Sequence, residues 1–407
     1  MIKKAFKILS LMLVFMLSFF YCVQAKAPVP TNITSDGYVL MDIDSGKVLA
    51  SKNENTKYEP ASITKVLTAL IVIEKGNLQD KITTTKNPTL EEGSSLYLKE
   101  GEIMTVEQLL HGLMLKSGND AGTALAEYIS GSKEEFAKEM NKRAKEIGAV
   151  NSNFSNPHGL NDNNHYTTPK DFALIAREAM KNPTFRKIAS TVSYQIAPTP
   201  QFAETRFLIN HNKLIATQRY KYDGANGIKT GFTKRSLHTF VGSATKGSTS
   251  LLVVCLKNGT QCYDDTKLLL DYGFTNYETK IIIKKGDVFA PMTLKGKEDI
   301  NLIPTEDVTY LDEKSQPATV KTNVKYLNKK SFNAGDVVAK LEVSVNGDTY
   351  KTINLTADKE YKTKVDKVFD KLSQPTLSKY IVFLCAGIAV LLTVLLLFNI
   401  KIKKNRR

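Results

Sequence analysis

Three short patterns bring together the residue types that a serine acyl-transfer reaction uses. They are "SITK" at residues 62–65, "SGN" at 117–119 and "KTG" at 229–231, in this order along the chain. At the start of a helix, a serine and a lysine three residues later lie on one face. Lysine can accept the serine proton only if its own pKa falls, which burial or a neighbouring cation causes. The first pattern therefore predicts an activated nucleophile, Ser62, with Lys65 as its base.

The other two patterns supply the remaining groups of such a reaction. Ser117 and Asn119 lie at a predicted helix–helix junction, where a hydroxyl can relay a proton to a leaving amine and an amide can hold a substrate backbone. Lys229 and Thr230, on a predicted strand, offer a cation and a hydroxyl to a substrate carboxylate, and a strand edge can pair with an extended peptide. The backbone N–H of Ser62, at a helix start where amides are unpaired, can serve as an oxyanion donor.

Each pattern also has an ordinary structural explanation. Ser62 can be only a helix cap, Lys65 and Lys229 only solvated charges, and residues 117–119 only a turn. Ser-x-x-Lys occurs again at Ser130 and Ser243, whereas Lys-Thr-Gly occurs once. The order of the three patterns and their fit to one chemistry favour the catalytic interpretation.

The two ends of the chain predict export and anchorage. Residues 1–27 have a basic start, an apolar run over 8–23 and a small-x-small site at 25–27, which is typical of a signal peptide. Residues 380–400 carry no charge, and at about 1.5 Å per residue they match the roughly 30 Å core of a bilayer. The basic tail 401–407 is expected to stay in the cytoplasm. We therefore expect a single-pass membrane protein whose catalytic part lies on the extracellular side.

Composition narrows the function classes further. Lys3, Lys4, Lys7 and the five basic residues of the tail 401–407 supply eight of the fifteen net positive charges, so the remainder of the chain is only mildly basic. Basic residues do not alternate with aromatics as in a nucleic-acid channel, so no nucleic-acid partner is expected. The five scattered histidines form no metal-binding pattern, and we expect neither a metal nor a cofactor. Cys255 and Cys262 are compatible with one disulfide or with two free thiols.

Periodicity divides the exported part at about residue 275. Residues 28–275 mix strands and helices, and residues 62–75 have the apolar spacing of a helix. Thr105, Ser132 and Thr168 are predicted helix caps. Three apolar runs within residues 227–257 predict an antiparallel meander. Short β-branched runs in residues 276–360 predict a small β-sandwich, followed by a stalk at 361–379 and the transmembrane helix.

The sequence resembles the low-molecular-mass penicillin-binding proteins that act as serine-type D-alanyl-D-alanine carboxypeptidases. Besides the three patterns, which are a known signature of penicillin-binding proteins, the resemblance rests on "YEPASITK", "LKSGNDA", "NPHGL", "HYTTPKDFALIA", "GIKTGFT" and "KLLLDYGF" in family order. It covers roughly residues 35–275. It implies an α+β fold, with helices flanking an antiparallel sheet as in penicillin-binding proteins and β-lactamases, then an all-β domain and a C-terminal membrane helix.

The resemblance also implies roles for individual residues. Ser62 would be acylated by the stem peptide of peptidoglycan, with Lys65 as general base and Ser117 assisting proton transfer. Asn119 would help bind the substrate, and Lys229 with Thr230 would bind its terminal carboxylate. The backbone N–H groups of Ser62 and Phe232 would form the oxyanion hole. β-Lactams would acylate the same serine.

Two features depart from the family pattern. Cys262 stands where a basic residue often precedes the aromatic Tyr263, and "SLH" at 236–238 replaces small residues. Both departures bear on substrate preference and rate more than on reaction type. His158 in "NPHGL" is interpreted as a loop-shaping residue.

Two rival functions are compatible with the same fold. A class A β-lactamase uses a glutamate to activate the deacylating water, and the nearest segment, "ETRFLIN" at 204–210, has the wrong spacing. A catalytically silent wall-binding module would not need Ser62. Removal of the terminal D-alanine from stem pentapeptides is the function that the sequence favours.

Overall fold

The computed structural model describes residues 26–260, 262–294, 297–363, 365–368 and 375–404. The predicted signal peptide therefore lies outside the described residues except for its last two positions, and part of the predicted stalk and the end of the basic tail also lie outside them. Two compact units are present. The first comprises the described residues up to Lys280 together with Tyr310–Pro317, and the second comprises Ile281–Thr309 and the described residues from Ala318 onward.

The strands are, in chain order, β1 (Gly37–Asp42), β2 (Val48–Lys52), β3 (Lys81–Thr83), β4 (Ile103–Thr105), β5 (Ser193–Ile196), β6 (Arg206–Ile209), β7 (Ala225–Thr233), β8 (Leu237–Lys246), β9 (Thr249–Asn258), β10 (Tyr277–Ile283), β11 (Ala290–Leu294), β12 (Lys297–Pro304), β13 (Val308–Glu313), β14 (Val320–Tyr326), β15 (Val337–Val345) and β16 (Asp348–Ala357). The helices are α1 (Lys65–Lys75), α2 (Val106–Leu115), α3 (Asn119–Ser130), α4 (Lys133–Ile147), α5 (Pro169–Lys181), α6 (Pro183–Ser190), α7 (Lys213–Ala216), α8 (Tyr263–Asn276) and α9 (Pro375–Lys404). Single 3₁₀ turns lie at Ala61–Thr64 and Asn87–Leu90.

A five-stranded antiparallel sheet organises the first unit, in the order β2-β1-β9-β8-β7. The predicted meander is confirmed, because β7 pairs with β8 and β8 with β9. Side chains alternate across a strand, so Leu252 and Val254 of β9 join the core that includes α1, while Leu251 and Val253 join the core that includes α8. The predicted α+β arrangement, a sheet covered by helices on both faces, is confirmed.

Helix α1 crosses the larger core. Its residues from Lys65 to Val72 are all buried, which suits the run of leucine, valine, alanine and isoleucine. The helix predicted over 62–75 is found, but its first residues form the 3₁₀ turn Ala61–Thr64 and the α-helix begins only at Lys65. This tighter first turn carries Ser62 and shapes the site described below.

Helix caps follow the predictions closely. Thr105 and Gln108 form a complete capping box at α2, with both reciprocal hydrogen bonds present. At α4 the Ser132 side chain accepts from the Glu135 N–H, and at α5 the Thr168 side chain accepts from Asp171 ahead of a proline in the first turn. Each cap satisfies backbone donors that a helix start leaves unpaired.

The second unit contains an antiparallel sheet in the order β11-β12-β16-β15-β14. Its core is formed by inward-facing aliphatic residues, among them Leu302, Leu341, Val343 and Leu355. The prediction of an all-β C-terminal domain is confirmed. The boundaries of the two units, at residues 280/281 and 309/310, lie within β10 and β13, and these two strands pair with each other.

Residues 380–400 lie within the 30-residue helix α9. In the part of the chain that the structure describes, no helix has both the length and the hydropathy that crossing a membrane requires. The predicted transmembrane span stays a prediction.

Candidate active site

Ser62 lies on the 3₁₀ turn, which two neighbouring segments clamp. The Thr239 hydroxyl of β8 donates a hydrogen bond of 2.7 Å to the Pro60 carbonyl. On the other side, Gly159 (φ +89°) approaches so closely that a Cβ there would lie 1.9 Å from the Ala61 carbonyl oxygen. Only glycine permits this contact. The clamp holds the half-buried Ser62 in a fixed position at the wall of a cavity.

Lys65 is fully buried directly behind Ser62. Its Nζ lies 3.0 Å from Ser62 Oγ, 2.7 Å from Asn119 Oδ1 and 2.7 Å from the His158 carbonyl oxygen. A charged ammonium donates to all three oxygens. A neutral amine has two N–H donors, which suit the amide and carbonyl oxygens, and its lone pair then faces the Ser62 hydroxyl. The site therefore suits an amine that accepts the serine proton.

Burial and charge repulsion both favour this neutral form. Burial is the first cause that holds the pKa of Lys65 well below its usual value, and the positive charge of Lys229 is the second. Both effects penalise the protonated amine. The predicted pairing of a serine nucleophile with a lysine of lowered pKa is present in the geometry.

Ser117 and Asn119 bring the second pattern to the same site. Ser117 is almost fully buried, has a left-handed backbone conformation (φ +61°) and lines the cavity beside Ser62. Asn119 begins α3, and its two side-chain polar atoms bond to Lys65 and to the Glu92 carbonyl. In the structure, the Asn119 amide thus joins Lys65 to the loop between the 3₁₀ turn Asn87–Leu90 and β4.

Lys229 and Thr230 bring the third pattern. Lys229 is 1% exposed, and its Nζ donates a hydrogen bond of 2.9 Å to the Thr230 carbonyl oxygen. Burial lowers the pKa of Lys229 to about 7. Thr230 lines the cavity. The ammonium of Lys229 therefore lies behind the cavity wall rather than on it.

The strand that carries Phe232 runs against the Ser62 amide. A Cβ on Gly231 would lie 2.9 Å from the Ser62 nitrogen and 3.1 Å from the Ile63 nitrogen. This close approach requires glycine and places the two predicted oxyanion donors, the N–H groups of Ser62 and Phe232, on adjoining backbone segments. The Phe232 ring is exposed and packs on His238, with 4.7 Å between ring centroids.

A cavity of about 300 Å³ opens at this point, and Ser62, Ser117 and Thr230 line it. Six further lining residues outside the three patterns were not predicted as site residues: Ser94, His211, Lys213, His238, Thr239 and Tyr263. His238 and Tyr263 belong to the two segments that depart from the family pattern, whereas no local pattern marks Ser94, His211 or Lys213. Cys262 also lines the cavity as a buried free thiol, and Cys255 is likewise free and buried.

Glu91 is another residue near the site that the three sequence patterns did not reveal. It lies behind the site, with Oε2 3.1 Å from His158 Nε2 and Oε1 2.7 Å from Lys133 Nζ. Burial alone would raise the pKa of Glu91, but the contacts with His158 and Lys133 lower it to about 2. The resulting carboxylate supports the loop whose carbonyl at His158 binds Lys65, which agrees with a loop-shaping role for that histidine.

A sheet covered by helices, with a serine and a buried lysine at the start of the central helix, defines a serine acyltransferase of the penicillin-binding type. The family described as D-alanyl-D-alanine carboxypeptidase matches residues 23–260. The chain belongs to this family and is a serine-type peptidase. The family described as penicillin-binding protein 5, C-terminal domain, matches residues 277–363.

Individual relatives agree with this assignment. The chain is 37% identical to the D-alanyl-D-alanine carboxypeptidase DacF of Bacillus subtilis over 297 residues, which cover 70% of this chain and 75% of the relative. It is 30% identical to DacC of Escherichia coli over 335 residues, which cover 78% and 81% of the two chains. The crystal structure of penicillin-binding protein 5 from Haemophilus influenzae is similar with a TM-score of 0.62 and 28% identity, covering 82% of this chain and 99% of that one. The resemblance stated from the motifs is confirmed.

Proposed function

We propose that this protein removes the terminal D-alanine from peptidoglycan stem pentapeptides through an acyl-enzyme on Ser62. The observation that carries the proposal is the 3.0 Å separation of Ser62 Oγ from the buried Nζ of Lys65. Two relatives, DacF and DacC, are D-alanyl-D-alanine carboxypeptidases by name.

Acylation follows from the positions of the named groups. Ser62 Oγ attacks the carbonyl carbon of the D-Ala-D-Ala bond while Lys65 takes the hydroxyl proton. The N–H groups of Ser62 and Phe232 stabilise the negative charge that develops on the carbonyl oxygen. Ser117, beside Ser62 on the cavity wall, passes a proton to the departing D-alanine amine. Lys229 and Thr230 attract the terminal carboxylate, and Asn119 keeps Lys65 in place.

Water completes the cycle by hydrolysing the Ser62 ester. Lys65, returned to its neutral form, can accept a proton from that water as it accepted one from the serine. β-Lactams present a strained amide and a carboxylate to the same groups, and we propose that they acylate Ser62 and leave it slowly. Penicillin-binding proteins among the structural neighbours support this part of the proposal.

The β-lactamase alternative would require a carboxylate at the cavity to activate the deacylating water. No aspartate or glutamate is among the described residues that line it. Glu204, in the segment considered above, is exposed on the connection between β5 and β6. Glu204 therefore cannot act as a buried general base for rapid deacylation. We expect deacylation to be slow.

The test is the intact mass of the purified chain after addition of benzylpenicillin, followed by peptide mapping and by D-alanine release from a pentapeptide. We expect a long-lived adduct on Ser62 and measurable D-alanine release. S62A should lose both. S130A is the matched control, since Ser130 and Lys133 have the same spacing but lie outside the cavity. An adduct that disappears within seconds would favour a β-lactamase, and no adduct would overturn the proposal.

We further propose that the protein is exported by residues 1–27 and anchored in the cell membrane by residues 380–400, with the catalytic unit on the extracellular side. The support is the sequence: an uncharged run of about 21 residues followed by a basic tail.

Fractionation and surface proteolysis of intact cells test the anchorage. The full chain should sediment with membranes and be cut by added protease, whereas a chain ending before residue 376 should be released to the medium. A full chain that stays soluble would contradict the anchor, without affecting the assignment of the peptidase.

A further inference from the structure

Lys213 lies on the cavity wall, and the mechanism above does not use it. It begins the short helix α7 and is half-buried. Its segment is fixed to α8, because the Lys213 backbone N–H donates to the Tyr263 hydroxyl at 3.3 Å and that hydroxyl donates to the His211 carbonyl at 3.0 Å. The two hydrogen bonds of the Tyr263 hydroxyl thus fix the position of the Lys213 backbone at the cavity.

Aromatic rings also hold the Lys213 ammonium. Its Nζ lies 5.4 Å from the centroid of the Tyr220 ring and 5.8 Å from that of Tyr263, within the range of a cation–π contact. Two more cations lie over the same Tyr220 ring, Arg219 at 5.4 Å and Lys267 at 5.6 Å. Of these three cations, Lys213 is the one among the described residues that line the cavity.

The described residues that line the cavity together with Lys213 include no carboxylate. The influence of Lys213 reaches the opposite strand: burial lowers the pKa of His238 first, and the charge of Lys213 lowers it further. Lys229, by contrast, lies behind the wall with its ammonium on the Thr230 carbonyl. The neutral thiol of Cys262 adds no charge beside Tyr263.

We propose that Lys213 is a specificity-determining residue whose ammonium binds the terminal carboxylate of the substrate. A cation at this place makes a free C-terminus preferable to an amidated or extended one, because only the free carboxylate forms a charge-assisted hydrogen bond there. The inference rests on the proposed carboxypeptidase function and adds to Lys229 and Thr230 a second cation that selects the peptide end.

The test compares two substrates with the full-length chain: an N-acylated peptide ending in D-Ala-D-Ala and the same peptide with a C-terminal amide. Wild type should prefer the free acid. K213Q should raise KM for the acid about tenfold, the size expected for one hydrogen bond to a charged group, with kcat and the amide substrate little changed. K213M, which keeps an unbranched apolar stem, should behave like K213Q, and K213R should restore most of the preference.

K267Q is the matched control, because Lys267 shares the Tyr220 ring but is not among the lining residues. It should keep the wild-type ratio of acid to amide. Retention of that ratio within twofold in folded K213Q or K213M would overturn the inference. A wild type that cleaves the D-Ala-D-Ala bond of neither peptide would instead overturn the proposed function, so the two failures are distinguishable.

Discussion

The amine nitrogen of Lys65 lies 2.7 Å from the side-chain oxygen of Asn119, 54 residues further along the chain. The same nitrogen lies 3.0 Å from Ser62 Oγ. One buried amine thus connects the first two sequence patterns, and Lys229 of the third pattern acts on it through its charge. The three patterns form one electrostatic unit.

Replacement of Lys65 by arginine tests the base directly. Arginine stays protonated in proteins, so K65R should lower the rate of Ser62 acylation by benzylpenicillin at least about a hundredfold, the range for loss of a general base. Stopped-flow acylation or timed intact mass measures this rate. K75R is the control, since Lys75 lies on the same helix in a partly exposed ion pair with Glu139; an unchanged rate in K65R would exclude Lys65 as the base.

The pH dependence of kcat/KM should carry the signature of Lys229. The neutral form of Lys65 is the active one, so activity rises with pH through the pKa of Lys65, which burial and the charge of Lys229 lower. The protonated form of Lys229 is the one that attracts a carboxylate, and its pKa of about 7 places a falling limb near pH 7 for the free enzyme.

K229R should move that falling limb to much higher pH, because a guanidinium does not lose its proton in this range. The profile is measured with the free-acid peptide. K257R replaces a half-exposed lysine at the end of β9 and should leave the limb in place. A limb that persists near pH 7 in K229R would assign it to another group.

Gly231 should be irreplaceable at the oxyanion site. In G231A the new Cβ would meet Thr239 Oγ1 at 2.3 Å and the Ser62 nitrogen at 2.9 Å. Moving β7 away from Ser62 removes an oxyanion donor, so acylation should fall about a hundredfold or more, with a loss of about 1–3 kcal/mol in unfolding free energy. Acylation kinetics and urea unfolding measure the two effects.

G259A is the corresponding control, since a Cβ at Gly259 meets nothing within 4 Å. It should alter neither acylation nor unfolding by a measurable amount. Normal acylation in G231A would mean that the close approach is not needed for the oxyanion hole.

The ion pair between Arg206 and Glu102 should dominate the stability of the loop beside the cavity. Two hydrogen bonds of 2.8 and 2.9 Å join the side chains, and the pair is almost fully buried. Arg206 also donates to the Leu96 carbonyl. E102Q should lower the unfolding free energy by about 3–5 kcal/mol, because it leaves a buried charge without its partner.

The sign of the pH effect follows from the pKa of Glu102. Burial alone would raise that pKa, but hydrogen bonds from Arg206 and Thr199 lower it below the ordinary value of 4.5 for a glutamate. The stabilisation is therefore present above about pH 4.5 and is lost as the pH falls toward the folded-state pKa. K138Q, in the exposed pair with Glu135, should change stability by less than about 1 kcal/mol. A cost of that small size for E102Q would contradict the prediction.

The sequence predicts the helix and the strands that carry the catalytic residues better than it predicts the other residues that surround the cavity. Ser62 and Lys65 are three residues apart, so the helical period alone brings them together, and the meander that holds Lys229 follows from three short apolar runs separated by turns. The first turn is less predictable: contacts from Thr239 and Gly159, far away in sequence, hold it as a 3₁₀ turn. Glu91 and Lys213 reach the site only through tertiary packing, and no local pattern marks them.

The last segment of the first unit follows, along the chain, a stretch of residues that belongs to the second unit. Residues 281–309 belong to the second unit, and Tyr310–Pro317 return to the first. There Lys314 donates its N–H to the Asn276 carbonyl and its Nζ to that of Phe274, at the end of α8. A polypeptide that folds from its N-terminus as it is made cannot complete its peptidase unit until about forty residues beyond α8 are also present. A gene fragment that ends at residue 280 would encode a first unit without the segment Tyr310–Pro317.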